Sequence, residues 1–182
     1  MTQALNEKYL KEIRPSLQKE LGLSSIEAVP KITKITVNTS SKDFKTDKEF
    51  LAKTKGWMGM ITGQAPLETK SRTSIAAFNL REGEVVGLKV TLRGKRMYDF
   101  YEKFTTIVLP RLKDFQGVSR TTFDKNGNYT IGFSEQIVFP EIEYDKIGRI
   151  QGLEITISTS AKDAKTALML LQIMGMPFTK EA

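Results

Sequence analysis

Residues 85–93 read VVGLKVTLR, and the alternation of apolar and polar side chains along them decides the fold class. Val86, Leu88, Val90 and Leu92 fall on one side of an extended chain; Gly87, Lys89, Thr91 and Arg93 fall on the other. A strand patterned this way buries one face and leaves the other polar, as antiparallel sheets do when helices cover a single side. Residues 31–38, KITKITVN, repeat the pattern, with Thr33, Ile35 and Val37 against Lys34, Thr36 and Asn38. From Gly63 a further strand sets Leu67, Thr69 and Ser71 against Glu68, Lys70 and Arg72, and residues 129–139 and 153–159 read as two more strands.

Between these stretches the period changes. Leu5, Tyr9, Ile13, Leu17 and Leu21 recur every fourth residue, which marks one face of a helix over 3–22. Pro15 is expected to kink or divide it, because proline lacks an N–H and crowds the preceding turn, and Gly22 suits its end. Ser24, Ser25, Ile26 and Glu27 offer capping chemistry for one short turn before Pro30. A helix over 47–62 would point Phe50, Leu51, Met58 and Ile61 inward, with Gly56 and Gly59 each costing it about 1 kcal/mol. Another runs from Lys95 to Pro110 with Met97, Phe100, Phe104, Ile107 and Val108 on its core side. A last helix over 162–174 ends at Gly175, with Pro177 beyond. Residues 77–84 and 113–128 read as loops. The fold class is therefore α+β: an antiparallel-rich sheet with helices packed on one face and a polar, basic opposite face. The chain reads as a single domain over 1–182, comprising the amino-terminal helix 3–22, a sheet region 31–95 and a carboxy-terminal half 96–182.

Composition narrows the chemistry. The 182 residues include no Cys and no His, which excludes disulfides, thiolate chemistry, Cys/His zinc sites and histidine-dependent catalysis. No cofactor is implied. The first 15 residues carry charges every few positions and lack the apolar core of a signal peptide, and no apolar run suits a membrane span. The cytosol is the expected compartment. Of the net charge of +7, residues 31–95 hold 13 Lys/Arg against 6 Asp/Glu, while the flanking segments are balanced. The polar strand faces Lys34, Thr36, Asn38 and Lys89, Thr91, Arg93 lie in that basic stretch, which suits a polyanionic partner. A solvated face that keeps the protein soluble is the plainer reading of the charge alone.

Three motifs read more simply as structure. Asp124, Asn126 and Asn128, with Glu135 at the twelfth position, imitate a calcium loop, but Tyr129 stands where the sharp turn demands Gly, and a polar turn entering a strand explains them. The Gly94–Lys95 pair lacks phosphate-loop spacing, and Arg96 replaces the required Ser/Thr. Glu141 and Glu143 could serve a carboxylate- or metal-dependent enzyme acting on a phosphorylated substrate, yet they sit in a segment that reads as solvated charge. Trp57, Met58, Met60, Met169, Met174 and Met176 read as core or near-core filler. The strand faces carry Lys and Thr instead of stacking aromatics, which favours a folded RNA met through backbone and 2′-hydroxyl contacts.

The chain also resembles a known family. The blocks YLKEIRPSLQKELG, VPKITKITVN, ITGQAP, SIAAFNLREGE, GLKVTLRGKRMYDF, LPRLKDFQGVS, FDKNGNYTIGFSEQIVFPEI, GLEITIST and LLQIMGMPF are similar, in order and across nearly the whole chain, to the large-subunit ribosomal protein five family of the bacterial type. The resemblance implies a non-enzymatic constituent of the central protuberance that binds 5S rRNA beside 23S rRNA and neighbouring large-subunit proteins. It also implies contact with the elbow of peptidyl-site tRNA and a bridge to a small-subunit head protein, with no membrane partner. The family's RNA-contacting Asn, Gln and Thr correspond to Asn38, Gln64 and Thr91, and its tRNA contact to the loop of Phe78, Asn79, Leu80, Arg81, Glu82 and Gly83. On this reading Lys34, Lys70, Arg72, Lys89 and Arg93 position the RNA backbone, and Ser74 adds a hydrogen bond. Thr39, Ser40, Ser41 and Lys42 replace the family's glycine-rich turn, Ala65 replaces a base, and Thr73 replaces a usual Lys or Arg. Each lost cation should flatten the salt dependence of RNA binding by somewhat under one unit of slope. A free-standing messenger-RNA regulator is the rival within RNA binding, which co-sedimentation with large subunits would separate.

Overall fold

The computed structural model describes residues 5–113, 115–143 and 149–179. Alternation produces the strands: β1 (Ile32–Ser40), β2 (Leu67–Lys70), β3 (Val85–Leu92), β4 (Tyr129–Phe133) and β5 (Leu153–Thr159) form one sheet in the order β2-β3-β1-β5-β4. β2 and β3 pair antiparallel, and the Thr33 hydroxyl donating to the Ser158 carbonyl, with Thr39 donating to that of Gly152, sets β5 antiparallel to β1. The helices are α1 (Leu5–Lys8), α2 (Arg14–Glu20), α3 (Lys48–Thr62), α4 (Gly94–Lys103) and α5 (Ala164–Ile173). The α+β expectation holds. The residues group into two compact units, one from Met1–Ile35, Arg93–Thr130 and Thr156–Ala182, the other from Thr36–Leu92 and Ile131–Ile155.

In the first unit the amino-terminal helix keeps its apolar stripe by an unexpected device. A spacing of four drifts about 40° per step around an α-helix, enough to carry Leu21 well away from Leu5. A π-helical turn over Tyr9–Ile13, in which the Arg14 amide donates to the Tyr9 carbonyl, takes up this drift just before Pro15. Tyr9, Ile13 and Leu17 are all buried as a result. The Tyr9 hydroxyl donates to the Pro30 carbonyl at 2.9 Å, and burial, then the neighbouring Tyr98, push its phenol up to about 12. Gly22, at φ 61°, lets the Leu23 amide reach the Gln18 carbonyl and close the helix. Ser25 caps the short turn Ile26–Ala28, as its position suggested. A second π-helical turn, Phe104–Val108, continues α4 and rotates Ile107 out to 44% exposure, against the inward expectation, while Leu109 takes the core. The Asp124 carboxylate accepts from the amides of Asn126 and Asn128 and from the Asn128 side chain, so this segment is a polar turn into β4.

In the second unit Asp47 caps α3 by accepting from the Phe50 amide at 2.8 Å. Phe50, Trp57, Met58 and Ile61 are buried, Leu51 is half-buried, and Met60 points outward instead of filling the core. The 129–139 stretch leaves the sheet after Phe133, because buried Gln136 donates to the Arg149 carbonyl and accepts from the Gln151 amide. Those long-range bonds draw the chain into a 3-10 turn, Gln136–Val138. Lys55 on α3 is hydrogen-bonded to Glu68 on β2, which holds that carboxyl below its ordinary value of 4.5. A depressed folded-state value means the contribution is full above the ordinary carboxylate range and is lost as pH falls through the lowered value. Because the pair stays partly wet, Glu68→Gln should cost about 0.5 kcal/mol in urea denaturation at pH 7. That cost should shrink as the titration is repeated below about pH 4.

Candidate nucleic-acid interface

The pairing of β2 with β3 defines which side of the sheet is open. Glu68 lies opposite Leu88, and both point to the side where Lys55 of α3 meets Glu68 and where Leu88 is fully buried. Leu67 opposite Lys89 and Thr69 opposite Gly87 therefore share the uncovered side. Thr91 follows by alternation. A Cβ on Gly87 would lie 3.5 Å from that of Ser40, which places Ser40, and with it Asn38, on this same side. The open face of this unit thus consists of Asn38, Ser40, Leu67, Thr69, Gly87, Lys89 and Thr91.

The side chains expected to meet RNA divide into two groups. Gln64 and Ser74 hold the protein's own backbone: Gln64 Nε2 donates to the Thr91 carbonyl at 3.3 Å, and Ser74 Oγ accepts from the Glu82 amide at 3.0 Å. Gln64 reaches Thr91 because Gly63, at φ 64°, ends α3 and turns the chain back along β3. Asn38 and Thr91 are half-buried, yet among the described residues neither side chain has a hydrogen-bond partner. Both side chains are thus left with hydrogen-bonding capacity that the chain itself does not use. Lys70, Arg72 and Lys89 are exposed. The alternation expected for 67–72 stops at a bulge between Thr69 and Lys70, which moves Lys70 opposite Val85. Lys34 is half-buried on β1, and Arg93 is exposed just before α4; both belong to the first unit.

After Asn38 the backbone stays extended through Ser40. Buried Thr39 donates to the Gly152 carbonyl at 2.6 Å, and Ser41 caps the turn Lys42–Lys45. The sequence TSSK is therefore a strand end with a capped turn. Residues 71–84 form a closed loop: Ser71 and Gly83–Glu84 exchange backbone bonds, as do Ile75 and Leu80. Asn79 turns the tip at φ 48°, and Phe78 stands out at 74% exposure. Lys45 donates to the carbonyls of Phe78 and Asn79, a contact no sequence period reveals. Lys45→Met should speed amide hydrogen exchange at Asn79 and Leu80 severalfold with little change in overall stability, and Lys45→Arg should restore part of the protection.

Charge must be counted in space, not along the chain. The unit bearing the open face holds eleven Lys/Arg and eleven Asp/Glu, because the acidic stretch 131–155 folds with it. The other unit holds seventeen against ten and so carries the whole excess. The basic segment 31–95 is thus locally positive within a neutral unit, and its cations act through placement. Among the described residues no group of three or more acidic side chains could hold a metal ion, and no helix is long and apolar enough to cross a membrane.

Comparison with known proteins finds relatives along nearly the whole chain. The family model for ribosomal protein L5 matches residues 25–81, and that for the ribosomal L5P family C-terminus matches residues 85–178. The chain is 49% identical over 180 residues to the large ribosomal subunit protein uL5 of Mesoplasma florum, 51% to that of Mycoplasma mycoides and 48% to that of Limosilactobacillus reuteri. Each alignment covers 99% of this chain and 100% of the relative.

Proposed function

This chain belongs to the ribosomal protein L5 family and is a structural, non-enzymatic constituent of the large ribosomal subunit, and from that premise we propose that its open sheet face docks 5S rRNA. As part of the ribosome it works in the cytoplasm. The observation that carries the proposal is the pair of uncommitted polar side chains, Asn38 and Thr91, on the same open face as Lys89. Their hydrogen bonds would fix the docking, Lys34, Lys70, Arg72, Lys89 and Arg93 would meet phosphates, and Gln64 and Ser74 would hold the surrounding backbone in place. The same reading assigns the loop Phe78 to Gly83 to the elbow of peptidyl-site tRNA, with 23S rRNA, neighbouring large-subunit proteins and a small-subunit head protein as further partners. The projecting Phe78, pinned from behind by Lys45, supports that assignment.

Filter binding of 5S rRNA at several salt concentrations tests the proposal. The expected result is preference for 5S rRNA over an unrelated RNA, with affinity falling linearly on a log–log salt plot. Arg72→Ala should flatten that line by about 0.7–0.9 units. Indifference to RNA identity, or no binding at low salt, would overturn the assignment.

A further inference from the structure

Lys45 has a choice of partners. It ends the 3-10 turn Lys42–Lys45, with Asp43 two positions before it and Asp47, the cap of α3, two positions after. Carboxylates so near would ordinarily draw an ammonium carried on a flexible four-carbon stem. Among the described residues, however, Lys45 forms no ion pair and donates instead to the carbonyls of Phe78, at 3.4 Å, and of Asn79. Both carboxylates are taken by one guanidinium: Arg149 Nη1 lies 3.2 Å from Asp43 and Nη2 3.7 Å from Asp47. That guanidinium is itself held in place. It lies over the Phe50 ring, 5.3 Å from the centroid. Beneath it the buried Gln136 side chain fixes the backbone, donating to the Arg149 carbonyl at 2.8 Å and accepting from the Gln151 amide at 2.6 Å.

We propose that Arg149 is a positioning residue for the loop Phe78 to Gly83 and works as a charge switch: by occupying Asp43 and Asp47 it leaves Lys45 to the loop carbonyls. With Arg149 in place the two carboxylates are already paired, and the carbonyls of Phe78 and Asn79 keep the ammonium. With Arg149 withdrawn, a bond from Lys45 to a free carboxylate is the stronger one, since both partners are charged. Lys45 then turns back to Asp43 or Asp47, and the loop tip loses its clamp. One ammonium cannot hold both sets of acceptors, so the arrangements are discrete and the device has two states instead of a gradual loosening. A phosphate or carboxylate that drew Arg149 away would therefore free a loop far from it in sequence. The switch belongs to the chain itself and does not rest on what the loop or the open face binds.

Amide hydrogen exchange on the full chain tests it. The Asn79 and Leu80 amides, which donate to the Ala76 and Ile75 carbonyls, report the loop tip, and the amide of Leu88, fully buried in β3, reports global stability. Arg149→Met should speed exchange at Asn79 and Leu80 about fivefold relative to Leu88. Arg149→Lys keeps a cation beside the carboxylates and should preserve most of the protection. The deciding variant adds Asp43→Asn and Asp47→Asn to Arg149→Met; asparagine at 47 still caps α3. With no carboxylate left to compete, Lys45 returns to the loop and protection recovers, although every ion pair of Arg149 is gone. If Arg149 merely braced the turn, the triple variant would stay as unprotected as Arg149→Met, and that result overturns the switch. So does wild-type protection in Arg149→Met. Should Arg149→Met fail to fold, Asp43→Asn/Asp47→Asn alone puts the same question, because it breaks the same ion pairs: a protected loop tip is expected, and a tip exchanging about fivefold faster overturns the proposal.

Discussion

Gly87→Val should destabilise the protein by about 3 kcal/mol and abolish tight RNA binding, although the residue lies in the middle of a regular strand where valine is ordinarily favoured. A Cβ there would stand 2.8 Å from Thr69 Oγ1 and 2.9 Å from the Thr39 carbonyl. The first neighbour can rotate away, but the second is backbone of the adjacent strand and is held by the Thr39–Gly152 hydrogen bond. Relief requires separating β3 from β1, which disrupts the open face. Urea denaturation measures the first effect and filter binding the second. Gly59→Ala is the control: a Cβ there meets nothing within 4 Å, and alanine is the better helix former, so stability should rise by about 0.5–1 kcal/mol. Equal stability of Gly87→Val and wild type would show that the strands tolerate a branched side chain between them.

The second large effect concerns binding without stability. Asn38→Ala and Thr91→Ala should each weaken 5S rRNA binding about tenfold, and the double variant about a hundredfold, while melting temperature stays within a degree or two. The separation follows from geometry. Neither side chain has a hydrogen-bond partner among the described residues, so its removal leaves no orphaned group in the free protein. In the complex each loss leaves an RNA acceptor or donor unpaired. The salt slope should stay constant, because no cation is removed. Gln64→Ala offers the contrast: its amide holds the Thr91 carbonyl, so that variant should lose stability and binding together. A fall in melting temperature for Asn38→Ala that matched its loss of affinity would assign it to the fold instead.

How far these residues could be read in advance depends on the range of the forces involved. Alternation at 31–38 and 85–93 is a local property, since neighbouring side chains on an extended chain must point to opposite sides whatever surrounds them. It fixed β1, β3, their polar faces and the place of Asn38, Lys89 and Thr91. Caps are equally local, so Ser25, Gly22 and Gly175 took the positions their chemistry suggested. The misplaced residues each answer to something distant or to a change of helical period. Ile107, inside a π-helical turn, faces outward while the next residue, Val108, stays buried. The strand expected over 129–139 stops early because Gln136 bonds to residues 13 and 15 positions away.

By itself, the amino-acid sequence determined the α+β class, the two best strands and the absence of histidine and cysteine chemistry, all of which follow from composition or from contacts between near neighbours, while the family rests on matching blocks along nearly the whole chain. Only the tertiary structure decided how those strands become a surface. It set the β2 register and its bulge, pinned the 71–84 loop through Lys45, and folded an acidic stretch back to neutralise the unit that bears the open face. It also separated Asn38 and Thr91, whose side chains make no hydrogen bond among the described residues, from Gln64 and Ser74, which bond the protein's own backbone. The physical reason is that a side chain's availability depends on what the rest of the chain brings within about 3 Å of it, and hydrogen bonds between residues far apart in sequence leave no period to read.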